Sequence, residues 1–454
     1  MLRASITGIG AATLLWLNGC AAYTARPLAA GTENVAALNP PVPAVLLQQS
    51  QTIDRPFLTP VAIDLARPLG RDAIGVLAVL ENPDLAALRA RAGVAEAQVF
   101  AAGLLPDPTF TFQLDHLLSG PDPVDNIVGG IGFNLNALRN RGLNRSLAQA
   151  TQRQVRLDLA WAEWQTAQTA RLQAVRVLAL RDILATTQLS AGRARDLLQR
   201  YLRAAGRGDI AADQVQTARL SSQDAEIAAR SAETDLNTAA FELRRLLGLP
   251  PAYPLDLAPE PPPALALSAE ELFTLAIRNR TDLAALRAGY DAQQGSVRKA
   301  VMDQFPTLDL TLNATRDSSE NKFLGPVIAF TLPLWNRNRG AIRIEEATRD
   351  ALHAEYDARL FRTRTDIAAA LAGLQIARHQ RDVLRAELPS ITAFAAATRR
   401  AATRGDLAIA TAELAEQSMR DRQLRLLQAE QAIAEQTIAL ELLVGAPHEA
   451  WGQK

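Results

Sequence analysis

Four short segments of the chain alternate apolar and polar residues. Phe110, Phe112 and Leu114 are interleaved with Thr109, Thr111, Gln113 and Asp115, and Ile131, Phe133 and Leu135 with Gly130, Gly132, Asn134 and Asn136. Further on, Leu308, Leu310 and Leu312 alternate with Thr307, Asp309, Thr311 and Asn313, and Ile328, Phe330 and Leu332 with Ala329, Thr331 and Pro333. A period of two predicts strands with one apolar and one polar face. Polar loops, Ser119-Gly120-Pro121-Asp122-Pro123 and Arg316-Asp317-Ser318-Ser319-Glu320, join them into two hairpins. Outside the hairpins the pattern becomes helical. Residues 141–204 hold no proline and predict a rod of roughly 90 Å. Residues 339–403 predict a comparable one. Return helices are expected near residues 209–247 and 406–444. Val155, Leu159, Ala162, Leu197, Leu198 and Tyr201 mark an apolar seam among Arg, Gln and Asp, as in a coiled-coil-like wall with one wet face.

The same order of elements occurs twice. Asp84-Leu85-Ala86-Ala87-Leu88-Arg89-Ala90 returns as Asp282-Leu283-Ala284-Ala285-Leu286-Arg287-Ala288, and Leu105-Pro106 as Phe305-Pro306. Asn140-Arg141-Gly142 returns as Asn338-Arg339-Gly340, and Arg207-Gly208-Asp209-Ile210 as Arg404-Gly405-Asp406-Leu407. Leu246-Leu247-Gly248 is echoed by Leu443-Val444-Gly445. The offset stays at about 197–200 residues, which identifies a duplication. Each copy reads helix, two strands, very long helix, turn, long helix. The chain divides into residues 1–19 (export signal), 20–70 (irregular), 71–249 (first repeat), 250–267 (proline-rich connector), 268–447 (second repeat) and 448–454 (tail).

The alternation suits either a half-buried soluble sheet or a membrane wall with lipid on one side and water on the other. A soluble sheet needs apolar elements to cover it, yet polar-studded helices flank each hairpin. Four strands fall short of the roughly eight that close a barrel, so a wall requires several chains. An open edge in lipid would leave backbone groups unsatisfied at several kcal/mol each, which makes closure obligatory.

Composition narrows the partners. Lys plus Arg and Asp plus Glu both number 48, so no basic footprint for nucleic acid exists. Arg3, the apolar stretch 6–17 and Leu17-Asn18-Gly19-Cys20 read as an export signal, too short in its apolar part to span a bilayer. Cys20 is the one cysteine, which excludes an internal disulfide. His116, His353, His379 and His448 show no ligand spacing, and Met1, Met302 and Met419 form no thioether ladder. No metal site, cofactor or catalytic constellation is expected. The Trp161 and Trp164 pair reads as helix packing.

Leu17-Asn18-Gly19-Cys20 resembles a bacterial lipobox, which implies acylation at Cys20, and Ala21 after it implies the outer membrane. With the duplication and the hairpin exits, Phe133-Asn134-Leu135-Asn136 to Gly142 and Phe330 through Pro333-Leu334-Trp335-Asn336-Arg337-Asn338-Arg339-Gly340, the chain resembles the TolC-like outer-membrane efflux family over about residues 70–447. The second exit resembles the cobalt–zinc–cadmium branch. The resemblance implies a mainly α fold with a four-stranded β contribution, three chains building a twelve-stranded transmembrane barrel and an α-helical tunnel. It implies a passive exit duct, not an enzyme, coupled to a periplasmic adaptor and a proton-driven inner-membrane pump, exporting metals or small toxic compounds. A lipid-anchored periplasmic scaffold or adaptor without a pore is the alternative. Phe110, Phe112, Leu114, Ile131, Phe133, Leu308, Leu310, Leu312, Ile328, Phe330 and Leu332 would face lipid, with Trp335 at the bilayer interface. Gly142 and Gly340 would ease the strand-to-helix turns. Arg207-Gly208-Asp209 and Arg404-Gly405-Asp406 would form adaptor-contacting tips, each glycine left-handed and each aspartate capping the next helix. Ala410 and Thr411 stand where relatives carry an acidic gate, and Asp213 only approximates it, so Asp209 and Asp406 are its substitutes.

Overall fold

In the computed structural model, residues 23–28, 38–116, 118–119, 124–261, 263 and 267–451 are described. Cys20 and the signal lie outside them. The chain divides into residues 1–40 and 41–454. The described parts of the first unit, 23–28 and 38–40, are exposed.

The second unit begins with α1 (Pro43–Gln51), a nine-residue helix inside the segment expected to be irregular. The first repeat comprises α2 (Arg71–Glu81), α3 (Pro83–Gly103), β1 (Thr109–Asp115), β2 (Asn126–Asn134), α4 (Leu135–Ala205) and α5 (Ala212–Leu246). The second comprises α6 (Ala269–Asn279), α7 (Thr281–Met302), β3 (Leu308–Arg316), β4 (Lys322–Phe330), α8 (Arg339–Arg404) and α9 (Ile409–Val444). One helix was expected ahead of each hairpin; there are two. Asn82 breaks the first pair because the residue before Pro83 is driven to extended backbone, and its side chain caps α3 by accepting from the amides of Asp84 and Leu85. At the matching position Arg280 is also extended.

The rods α4 and α8 hold 71 and 66 residues, lengths of roughly 105 and 100 Å. Pro389 lies inside α8 and withholds one backbone donor from it. The return helices α5 and α9 hold 35 and 36 residues and so cover about half of each rod. Toward the sheet, α3 and α7 pack on α4, and α7 on α8.

The core sits where these half-length helices meet. Leu46, Phe57, Leu77, Leu85, Trp164 and Leu243 are buried in one cluster, into which Leu257 of the connector also packs. A smaller cluster joins Leu272, Ile367, Leu374, Ile433, Leu440 and Trp451. Trp164 meets Phe57 edge-on at 5.5 Å between ring centroids and donates its indole N–H to the Leu442 carbonyl at 3.3 Å, tying the first rod to the second return helix. Trp161 lies under the Arg280 guanidinium at 4.6 Å, so both tryptophans pack. Leu69 and Leu257 form a bridge that pins the connector beside α2.

The two copies close their return helices alike. Gly248 and Gly445 follow α5 and α9 with φ of 64° and 78°. A Cβ on Gly248 would stand 2.2 Å from the Glu81 carbonyl oxygen, and one on Gly445 would stand 3.0 Å from the Arg280 Cα. The last-turn carbonyls are held by different side chains: the Asn82 amide donates to Leu246, and the Arg280 guanidinium to Leu443. Sequence drifted between the copies while the backbone demand stayed. Gly248→Ala is therefore expected to destabilise by more than the roughly 1–2 kcal/mol of a left-handed L-residue, because the backbone contact adds to it. Urea unfolding followed by circular dichroism checks this, and an unchanged midpoint would count against the close approach.

Candidate functional site: the four-stranded wall and the distal turns

The strands form one antiparallel sheet in the order β1-β2-β3-β4. Phe110 pairs with Ile131, and Ile131 with Leu312; Phe133 pairs with Leu310, and Leu310 with Ile328. Leu308 faces Phe330. The register thus gathers the apolar set on one face. It adds Ile127, Ala314, Leu324 and Pro326, which alternation alone missed because Gly129 and Gly130 interrupt the pattern in β2 and Gly325 and Pro326 interrupt it in β4. Phe323 and Val327 fall on the polar face.

In β2 and β3 burial runs opposite to the rule for a water-soluble sheet, while β1 and β4 are largely exposed on both faces. On the apolar face Phe112 is 64% exposed and Leu324 74%. Leu310 is half-buried, unlike its neighbours Leu308 and Leu312. On the polar face Gly130 and Gly132 are buried and Thr311, Asn313 and Thr315 half-buried. A Cβ on Gly130 would stand 2.4 Å from Asn313 Oδ1 and 2.7 Å from Thr111 Oγ1, and one on Gly132 2.5 Å from Thr109 Oγ1. On the opposite face, Gly129 has open space at that position. The polar side is the crowded one at Gly130 and Gly132.

Both hairpin exits depart from expectation. Leu135 already belongs to α4, whose N-terminus is capped by the Asn134 side chain accepting from the Ala137 amide at 2.7 Å. Gly142 is an interior helical residue and eases no turn. In the second copy β4 stops at Phe330, since Pro333 cannot extend a ladder, so Leu332 lies beyond the strand. The left-handed residues there are Arg337 (φ 46°) and Asn338 (φ 55°), not Gly340. The Asn338 side chain holds this turn by donating to the Ala300 carbonyl at 2.8 Å. Trp335 stands at this strand end, 86% exposed, beside exposed Leu332 and Leu334. In the β3–β4 loop, the Asn321 side-chain amide and the Asn321 and Ser319 backbone amides donate to Asp317 and hold its carboxyl below the usual range.

The rods end in matching turns. In each, the aspartate amide donates to a carbonyl five residues back, Asp209 to Ala204 and Asp406 to Ala401, both at 2.9 Å. The glycine amides donate three residues back, and Gly208 and Gly405 are left-handed at 79° and 85°. These are Schellman motifs. The aspartates do not cap the next helices. Asp209 and Asp406 accept from Arg207 and Arg404 at 2.8 Å, while α5 and α9 start after Ala211 and Ala408 without a side-chain cap. A carboxylate two residues from a guanidinium finds its partner locally before it reaches the helix. All six residues of the two turns are exposed. Ala410 and Thr411 open α9, and Asp213 lies in the first turn of α5.

Near the core, Glu441, His448 and Glu449 bring ligand-type atoms within 4.8 Å of one another, a meeting that spacing did not reveal. The Arg71 guanidinium already occupies Glu441, and His448 Nδ1 lies 2.6 Å from its other oxygen. Burial favours protonation of Glu441, but the His448 contact and the Arg71 charge outweigh it and hold its pKa down. This is an ion-pair network, and its cations oppose a metal. Among the described residues no helix is long and apolar enough to cross a membrane.

A hairpin of strands set between long rods, repeated in one chain, is a narrow description, and comparison with known proteins matches it. Residues 272–446 match the family model described as outer membrane efflux protein. The second repeat is an outer membrane efflux protein domain. The chain is also similar to the cobalt-zinc-cadmium resistance protein CzcC of Cupriavidus metallidurans, with 26% identity over 338 residues, covering 71% of this chain and 77% of that one. Among solved structures it is similar to CusC (TM-score 0.68, 16% identity, 88% of this chain and 99% of that). It is similar as well to the outer-membrane channel OprN (TM-score 0.69, 16%, 94% and 98%) and to the Neisseria gonorrhoeae MtrE outer membrane channel (TM-score 0.67, 16%, 87% and 96%). The fold shared with these structures therefore extends over both repeats.

The contrast between adjacent glycines gives a test. Gly130→Leu should cost about 1–3 kcal/mol of sheet packing and lower the yield of assembled protein on size exclusion, with helical content by circular dichroism kept. Gly129→Leu should leave assembly unchanged, and equal behaviour of the two would contradict the crowding of the polar face.

Proposed function

We propose that this chain is one subunit of an outer-membrane exit duct for efflux. Three copies, each giving the four strands of its sheet, close a twelve-stranded barrel, with the rods continuing it as a periplasmic tunnel. One observation carries the reading: the sheet exposes most of its phenylalanines and leucines, while Gly130, Gly132, Thr311 and Asn313 on the other face are buried or half-buried. Such a wall is stable with hydrocarbon outside and water within. Four strands do not close alone, and the edges β1 and β4 call for neighbouring copies. CzcC, CusC, OprN and MtrE support this reading by likeness of chain or fold.

In this duct Phe110, Phe112, Leu114, Ile131, Phe133, Leu308, Leu310, Leu312, Ile328 and Phe330 face lipid, and Trp335 lies at the interface with Leu332 beside it. Cys20 carries acyl chains that hold the N-terminus at the membrane. The Arg207-Gly208-Asp209 and Arg404-Gly405-Asp406 turns stand about 100 Å of rod from the sheet, the far end at which a periplasmic adaptor docks. No step of the duct is covalent chemistry, and energy comes from an inner-membrane pump coupled through that adaptor. The cargo is metal ions or small toxic compounds, the first class favoured by the similarity to CzcC. The uncovered apolar wall weighs against a pore-free periplasmic scaffold.

Native mass spectrometry of the full chain tests the assembly. The protein is expected to need detergent and to release trimers bearing lipid on Cys20, with Cys20→Ser losing the lipid mass alone. A monodisperse monomer in detergent-free buffer would refute the duct, and lipid retained by the variant would refute the anchor.

A further inference from the structure

A cleft of about 520 Å³ opens between α4, α9 and the connector. Apolar and charged residues share its walls: Val175, Leu178, Leu427 and Ile438 line it, with Pro259 and Pro261 of the connector. Arg71 and Arg171 also line it. The Arg171 side chain is only 3% exposed. Its Nε donates to the Arg71 carbonyl at 3.2 Å and its Nη2 to Asp72 Oδ1 at 2.9 Å, while Nη1 has no acceptor among the described residues. Arg71 Nε is likewise buried without an acceptor, its Nη2 being taken by Glu441. The seat is shaped for the guanidinium, since a Cβ on Gly75 would stand 2.9 Å from Arg171 Nε. Burial and the Arg71 charge both press Arg171 toward a lower pKa, a cost that a bound anion offsets.

Two buried N–H donors without acceptors, beside an apolar wall, define a ligand by chemistry. Each unsatisfied donor costs about 1–3 kcal/mol, more when charged, so an acceptor that reaches both gains that much. Asp72 and Glu441 already balance the two arginines, which favours a singly charged head over a phosphate dianion. Of the other charged residues lining the cleft, Arg385 is paired with Glu430 at 2.5 Å and Arg381 with Asp382 at 2.6 Å, and the Glu260 and Asp182 carboxylates repel a multiply charged head. The volume lies in the range of small-molecule pockets. We propose that this cleft binds an amphiphilic carboxylate, its head accepting from Arg171 Nη1 and Arg71 Nε and its aliphatic chain lying along Val175, Leu178, Leu427 and Ile438. The site lies outside the strand wall and the distal turns, and it does not depend on the duct reading.

Calorimetric titration of the purified full chain with octanoate, 1-octanol and inorganic phosphate tests this. Octanoate should bind saturably, and 1-octanol and phosphate at least about 10-fold more weakly, the minimum for a lost charge-assisted hydrogen bond. Arg171→Gln should weaken octanoate by about 10-fold or more. Should that variant fail to fold, Ala434→Phe, which puts a ring on the cleft wall from α9 and keeps both arginines, should abolish binding while the oligomer persists. Absence of saturable octanoate binding to the native chain, equal binding of 1-octanol or of phosphate, or full binding by Ala434→Phe would overturn the proposal. Those results would leave the oligomeric assembly, measured separately, untouched.

Discussion

At β1 and β4 the sheet ends in backbone N–H and C=O groups with no strand beyond them among the described residues. In water such edges are tolerable; beside hydrocarbon each unsatisfied group costs several kcal/mol. Once the apolar face looks outward, closure with further copies becomes a physical requirement. The glycines serve it. Gly130 and Gly132 let the side chains of Thr109, Thr111 and Asn313 approach the backbone of β2 closely. Arg337 and Asn338, held left-handed, then turn the chain out of β4 into α8.

The helical part answers a different demand, that of carrying a wall over roughly 100 Å with few aromatic residues and no disulfide. It does so by pairing every rod with two shorter helices in succession and placing the buried core at their junction. There the backbone reverses or breaks at Asn82, Gly248, Arg280 and Gly445, and each break is matched by a specific polar contact. Charged residues near the junction are neutralised in the same way. Glu163 receives Arg55 and Arg89, and the Arg280 guanidinium holds Asp282. Replacing one member of such a buried pair typically costs more than the pair contributes, so these networks act as positional locks.

The duplication, the hairpins, the rods and the left-handed glycines at their ends were legible because each rests on a local period or a residue with one conformational use. The apolar and polar faces of β1 and β3 followed from strict alternation. What stayed hidden depended on cross-chain partners. The break at Arg280 has no proline to announce it and is stabilised by a carbonyl 163 residues away. Asp209 and Asp406 look like helix caps in sequence, but an arginine two residues back is a nearer cation than the next helix's amides. Gly340 suggested a flexible exit, yet Asn338 takes the left-handed turn because its side chain can reach the Ala300 carbonyl. The buried arginines of the cleft come from α2 and α4, far apart in sequence, and no motif joins them.

Outward-facing hydrocarbon contact is the claim on which duct, oligomer and tunnel all rest, and adjacent positions 111 and 112 report it directly. Nitroxide labels placed one at a time at Thr111 and Phe112, in a Cys20→Ser chain reconstituted in lipid, are read by power saturation against oxygen and a water-soluble nickel complex. The label at 112 should be relaxed chiefly by oxygen and the one at 111 chiefly by nickel. Equal accessibility at the two positions, or the reverse order, would contradict a wall with lipid outside and water within.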